Sequence, residues 1–392
     1  MPADENHLRA KVDRRRRHVN DNAAPISAGE RITNLDTVRG VATLGILVMN
    51  AVSFGLPGPA YFNIDYAGSD TWPAQAVGIL GELFIDQKTM ALFSLLFGAG
   101  IVVFADRAEQ KGRRPLLLSM WRNLLLFGIG LVHVAFWEGD VLMLYALCSP
   151  VLLLLRKRSA RTLFIAGGIC ITISALWMAV TQAAIDPSTD LGDYWLNESV
   201  SMSDAVGLAF IVDFGGRGLG MMLIGVGLFR ADIVQGLRPA AFYRRLVLIG
   251  LGIGLPLSIA GVAIHAAGDW SGDVALIGAV PNILATAPMA VGYMALITLW
   301  NQRPDTWLHE RFRAVGRMAL TNYLVQTVFG LLILRGVFGF GTLGRDEILL
   351  FIVGVWMMQL AWSKPWLSFF RFGPFEWLWR VATYRHMQPI RR

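Results

Sequence analysis

From residue 35 to residue 362 the chain alternates between long apolar runs and short polar breaks. The pattern predicts membrane-crossing helices near 36–56, 76–105, 116–136, 140–155, 162–182, 205–228, 241–263, 275–299, 314–334 and 347–362. Most of these runs come close to the roughly 20 residues that a bilayer crossing requires. The second is longer and is interrupted by "DQK" at 86–88, so it is either one tilted helix or a short re-entrant piece followed by a span. The expected fold class is all-α: a polytopic integral membrane protein of about ten transmembrane helices, with its helical domain over 31–362. A disordered basic tail precedes it over 1–30, and an amphipathic, Trp-rich segment follows over 363–392.

Composition strengthens this reading. Hydrophobic residues make up 55% of the 392 and charged residues only 16%, against about 25% charged in soluble domains. The mean hydropathy is +0.50. A water-covered globular surface is thereby excluded. The 41 glycines and 13 tryptophans fit, since glycine is common in membrane helices and tryptophan gathers at the interfaces. Cys148 and Cys170 both fall within predicted helices, which excludes a disulfide framework or a thiolate metal site. The "RRRR" at 14–17 has no apolar core beside it and no small-residue cleavage site, so the first 30 residues do not read as a signal peptide. They read as a cytoplasmic tail that touches anionic headgroups rather than nucleic acid.

Charge sets the orientation. Segments 1–39, 106–114, 156–161, 229–245, 301–317 and 363–392 alternate with the spans and hold 30 of the 35 Lys and Arg residues. The opposite loops hold two, Arg335 and Arg345, and carry acidic stretches such as "DPSTDLGDYWLNE". The positive-inside rule then puts both termini in the cytoplasm.

The remaining ionisable residues lie within the spans: Lys88, Arg122, Arg217, Glu82, Asp86, Asp213 and His133. A charge near mid-bilayer costs at least about 2.5 kcal/mol, so such groups face the interior or a wet cavity and pair with one another. Lys88 has Asp86 and Glu82 nearby, and Asp213 is one turn from Arg217. These pairs order helices or line a site. Arg122, about two turns from the basic side, is expected to snorkel toward it. His133 stands in the apolar run "LLLFGIGLVHVAFWEGDVLMLYALC" at 124–148, just before Glu138 and Asp140. The "EGD" breaks the run, which sets the imidazole one to two turns below the outer surface with carboxylates on the adjoining hairpin. A carboxylate beside an imidazole fixes its tautomer and orients it as a general base. A hydrogen bond to a neighbouring helix is the structural alternative. No His or Cys cluster accompanies His133, so a metal site is not expected. In the first span, Asp36 and Arg39 are one turn apart at the cytoplasmic mouth, and Asn50 lies near the far end.

The block "LDTVRGVATLGILVMN" at 35–50 resembles the opening helix of the YeiB family of bacterial inner-membrane proteins. The resemblance continues in order through "KTMALFSLLFGAGI" at 88–101, "GLVHVAFWEGDVLMLYA" at 130–146, "GRMALTNYLVQTV" at 316–328 and "GPFEWLWRVATY" at 373–384. The last block falls in the family's domain of unknown function. The opening helix is also similar to those of two membrane acyltransferase groups, one containing heparan-α-glucosaminide N-acetyltransferase and the other the bacterial O-acyltransferases that decorate polysaccharides. By position, Asp36, Arg39 and Asn50 match the polar residues of that helix. Both groups place a histidine at its outer end or in the loop that follows. Here Asn50 occupies the first position and 57–75 contains no histidine, so His133 is the helical candidate for a displaced base, with Asp140 or Glu138 orienting it.

The resemblance implies an acyltransferase of the bacterial inner membrane. Acyl-CoA would be the donor, and a cell-envelope glycan, lipid or small hydroxyl or amino compound the acceptor. Arg39, Arg122, Arg313 and Arg317 would meet the donor phosphates, Asp36 would hold Arg39, and Lys88 and Arg217 would sit along the donor path. Asn50 or Arg217 would stabilise the developing oxyanion. The partners are then the lipid bilayer and these two substrates, with a homodimer compatible and no nucleic acid. A transporter or flippase using the intramembrane charges is the alternative, and a non-catalytic scaffold holding a partner through 363–392 ranks last. The topology is directly testable. A reporter fused after Arg392 should be active only in its cytoplasmic form, and cysteines introduced at Ser69, Thr189 and Ser271 should react with an impermeant reagent from outside. Labelling in the 156–161 loop with protection at 189 would reverse the orientation.

Overall fold

A computed structural model describes residues 32–191, 194–195 and 202–392; the basic tail at 1–30 lies outside the described residues. The described chain is helical, with one isolated bridge between Phe370 and Arg391 and no named strand. The helices are α1 Thr33–Gly55, α2 Trp72–Phe84, α3 Lys88–Gln110, α4 Pro115–Val134, α5 Leu142–Leu155, α6 Ala160–Ala184 and α7 Asp204–Arg230. They continue with α8 Ala240–Ala267, α9 Ala275–Asn301, α10 Trp307–Arg317, α11 Ala319–Phe329, α12 Arg345–Phe369 and α13 Pro374–Tyr384.

Among the described residues, nine helices are long and apolar enough to cross a membrane. The fourth run does not reach that length: α5 has 14 residues with Pro150 inside it, about 21 Å at 1.5 Å per residue. It ends at Arg156, which is buried and pairs with Asp106 at 2.8 Å and Glu109 at 2.8 Å at the end of α3. The long second run resolves into a 13-residue α2 and a 23-residue α3, joined through Gln87 at φ 59°. This is the short-piece-then-span alternative. The span expected over 314–334 begins instead with the separate amphipathic α10, and α11 runs on through a π-helical turn to Val337.

Two apolar cores share the central α1 and α3. One unites these helices with α6, α7 and α9; the other joins the C-terminal half of α1 to α4, α5, α11 and α12. Phe93 of α3 packs against both. Large apolar side chains on the outward faces, such as Leu117, Leu124, Val132, Leu154, Leu248 and Leu350, remain exposed. A water-soluble monomer rarely shows so continuous an apolar surface; lipid tails are its natural solvent.

A close backbone crossing positions the mouth of the bundle. A Cβ at Gly40 would collide with the Phe312 carbonyl oxygen, and one at Gly316 with the Asp36 carbonyl oxygen. Small residues let membrane helices approach backbone to backbone, and here they bring α10 onto α1 beside Asp36 and Arg39. Gly40→Val should therefore destabilise the protein by about 1–3 kcal/mol or more, as overpacking does, while Gly354→Ala on α12, which meets nothing within 4 Å, should not. Thermal unfolding in detergent compares them; equal melting of Gly40→Val and wild type would contradict the crossing.

Candidate active site

A cavity of about 760 Å³ opens at the basic end of the bundle between α1, α3, α4, the start of α11 and α13. Its wall carries seven basic side chains, Arg39, Arg107, Lys111, Arg113, Arg122, Arg317 and Arg380, against two carboxylates, Asp36 and Glu376. Asp36 accepts from Arg39 Nη1 at 3.2 Å. Glu376 accepts from the backbone N–H of Thr321 at 3.0 Å and from its hydroxyl at 2.6 Å. Burial pushes the Glu376 carboxyl above its usual range, against those two hydrogen bonds.

The Glu376 contact makes α13 part of the site. It caps the first turn of α11, Trp379 Nε1 donates to the Arg122 carbonyl at 2.9 Å, and Trp121 Nε1 donates to the Ala382 carbonyl at 3.1 Å. The α12 helix continues to Phe369, and Arg371 N donates to Ile390 O at 2.8 Å. The segment after 362 thus closes the cavity wall. Arg122 does not snorkel free: its guanidinium carbon lies 4.3 Å from the Phe104 ring centroid and 4.2 Å from that of Trp379. Both rings hold the guanidinium by cation–π contact. No carboxylate pairs with it among the described residues.

At the inner end, Leu126, Leu142 and Tyr323 line the cavity. Behind Tyr323 lies a buried network centred on Asp140, whose side chain is fully enclosed. Oδ2 accepts from Met143 N at 3.0 Å and caps the start of α5. Oδ1 accepts from the Tyr323 hydroxyl at 3.3 Å and from His133 Nδ1 at 2.7 Å. Nε2 lies 2.9 Å from the Thr327 hydroxyl, and in the tautomer that donates from Nδ1 to Asp140 it is the acceptor of that hydroxyl's hydrogen bond. Gly130 of α4 permits the fold-back; a Cβ there would lie 2.8 Å from Met143 N and 2.9 Å from Asp140 Oδ2. Trp137 closes the far side, its ring centroid 5.7 Å from that of His133 and its Nε1 donating to Ser53 Oγ at 2.9 Å.

The sequence-predicted residues divide into groups. Asp36, Arg39, Arg122 and Arg317 line the cavity. Arg313 does not; its planar fork is bidentate on Asp305 at 2.7 Å for each bond and holds that carboxyl below its usual range. His133 and Asp140 meet, whereas Glu138 is exposed and outside their network. Asn50 is buried one turn before Phe54, without a hydrogen bond to His133 among the described residues. Lys88 and Arg217 form no part of the cavity wall. Lys88 donates to the Glu82 carbonyl and to Asn282 Oδ1, and Asn282 Nδ2 donates to Glu82 Oε1 at 2.8 Å. Arg217 pairs with Asp213. Tyr323, Thr327, Glu376 and Trp379 were not singled out from the sequence. The i, i+4 spacing of Tyr323 and Thr327 in an apolar run was the available signal.

Two relatives are similar over nearly the whole chain. "Uncharacterized protein YeiB" of Escherichia coli (strain K12) is 34% identical over 388 residues, covering 92% of this chain and 98% of its own. The chain belongs to the YeiB family. "Uncharacterized protein YxaH" of Bacillus subtilis (strain 168) is 31% identical over 406 residues, covering 93% and 97% respectively. A family model described as "Protein of unknown function (DUF418)" matches residues 228–386. In this YeiB-family chain the matched region includes Thr327, Tyr323, Glu376 and Trp379, one side of the site; His133, Asp140 and the α1 pair come from outside it.

The geometry separates the two acids that the sequence left open. Asp140→Ala strands the His133 and Tyr323 donors in the interior at about 1–3 kcal/mol each, so its melting temperature should fall well below wild type. Glu138→Ala should stay within about 0.5 kcal/mol, as exposed substitutions do. Equal melting of the two variants in detergent would remove Asp140 from its central place.

Proposed function

We propose that this YeiB-family protein is an acyltransferase of the bacterial inner membrane, taking an acyl group from acyl-CoA at the cytoplasmic face and passing it to a cell-envelope glycan, lipid or small hydroxyl or amino acceptor. One observation carries the reading: a basic, aromatic-walled cavity ends at Tyr323, whose hydroxyl is bonded to the carboxylate that orients His133. The cavity has the size of a cofactor-scale site. Phosphates suit the Arg39 and Arg122 end, and a pantetheine arm and acyl chain suit the inner wall of Phe93, Phe97, Leu126 and Leu142. Asp140 holds the imidazole in the tautomer whose Nε2 takes a proton, and Trp137 and Tyr323 keep water from it. The resemblance of the α1 block to membrane acyltransferases points the same way.

A transporter is the second reading, favoured by the Lys88, Glu82, Asp86 and Asn282 cluster beside the break between α2 and α3. Broken helices with buried polar groups build transporter sites. One comparison separates the two. CoA binding to purified protein should weaken about tenfold in Arg39→Ala and in Arg122→Ala, equivalent to about 1.4 kcal/mol, and Lys88→Met should leave it unchanged. His133→Phe should bind CoA normally and lose on the order of 10²–10⁴ in thioester consumption, as general-base deletions do. Unchanged affinity in both arginine variants would overturn the donor site, and full activity of a well-expressed His133→Phe would return the histidine to a packing role.

A further inference from the structure

We infer that Thr327 is the nucleophile of this site and carries the acyl group as an ester between donor and acceptor. The inference rests on the acyl-transfer reading and goes beyond it in naming a covalent intermediate. Both imidazole nitrogens of His133 are occupied: Nδ1 by Asp140 at 2.7 Å and Nε2 by the Thr327 hydroxyl at 2.9 Å. The proton that this histidine is placed to remove is therefore the one on Thr327. A carboxylate, an imidazole and a hydroxyl in hydrogen-bonded sequence form the arrangement that activates a weak oxygen nucleophile. The ring is fixed at both ends and backed by a carboxylate that accepts from three donors.

Position supports the role. Thr327 sits one turn beyond Tyr323 on α11, and Tyr323 lines the inner end of the cavity. At 2% exposure, Thr327 is shielded from water, which protects an ester from hydrolysis. The donor cavity opens at the basic end, whereas an envelope acceptor arrives from the other. A residue acylated from one side and deacylated from the other spares the two substrates from meeting.

The step balances without a further reactant. His133 Nε2 takes the Thr327 hydroxyl proton as Oγ1 forms a bond to the thioester carbonyl carbon. The carbon–sulfur bond then breaks, and the CoA thiolate leaves with the proton from Nε2. In the second half the acceptor hydroxyl or amine gives a proton to Nε2 and attacks the ester. The Thr327 oxygen leaves and recovers that proton.

The test uses full-length purified protein with acetyl-, butyryl- and palmitoyl-CoA and no acceptor, quenched by denaturation and read by intact mass and peptide mapping. The expected result is a gain of one acyl group per chain on the peptide containing Thr327, retained in Thr327→Ser and absent in Thr327→Val. CoA release with hydroxylamine as the acceptor should fall on the order of 10²-fold or more in Thr327→Val. If wild type releases CoA but bears its label elsewhere or nowhere, and Thr327→Val is as fast, the covalent role falls while acyl transfer stands. If wild type neither binds nor consumes any of the three donors, the acyl-transfer reading falls and this inference with it. Should Thr327→Val fail to reach the membrane, the position of the label in wild type and in Thr327→Ser decides.

Discussion

One carboxylate, Asp140, holds together the part of the bundle on which the site depends. It is buried among apolar residues and accepts from α4 through His133, from α5 through Met143 N and from α11 through Tyr323. A carboxyl group in such surroundings is tolerated only when hydrogen-bond partners replace its water. The same requirement fixes the geometry: each donor comes from a different helix, so satisfying the group sets how the helices meet. The short α5 follows from this, because its start is pinned at Asp140 while its far end is held by Arg156 on Asp106 and Glu109.

A second set of polar contacts extends the order along α11. Thr321 is bound by Glu376 of α13, Asn322 reaches Ser363 at 3.3 Å, and Gln326 donates to Thr43 O of α1 at 3.1 Å and to Gln359 Oε1 of α12 at 2.9 Å. Interhelical hydrogen bonds of this kind are worth about 0.6 kcal/mol each in a membrane protein, too little singly to define a fold. Their effect is registration. They fix the rotation of α11, which presents Tyr323 to the cavity and Thr327 to His133.

Most of the apolar helices were legible in the sequence because length and apolarity are local properties, although the fourth has only 14 residues. The Asp140–His133 pair was legible for the same reason, being seven residues apart across a visible break. What escaped was non-local. Thr327 is 194 residues from His133, and Trp379 is 257 residues from Arg122. Arg122 near the basic side reads as a snorkelling residue until α13 supplies the second ring that clamps it. The segment after 362 was expected as an amphipathic, Trp-rich tail, and no local signal told that it folds back over the cavity. Lys88 found its partners in the Glu82 carbonyl and the Asn282 side chain, because a polar residue on α9 reaches it more closely than the neighbouring acids do. The two YeiB-family blocks "LDTVRG" and "GRM" are intelligible only together: Gly40 and Gly316 are the two sides of one backbone contact.

The proposed donor site is the basic cavity, whose inner end would serve the Asp140–His133 network. The most direct measurement is an experimental structure of the protein with a non-hydrolysable thioether analogue of acyl-CoA. The expected result is ligand density in the cavity, with phosphates against Arg39 and Arg122 and the thioether sulfur next to Tyr323. Density at the Lys88–Asn282 cluster with the basic cavity empty would contradict it.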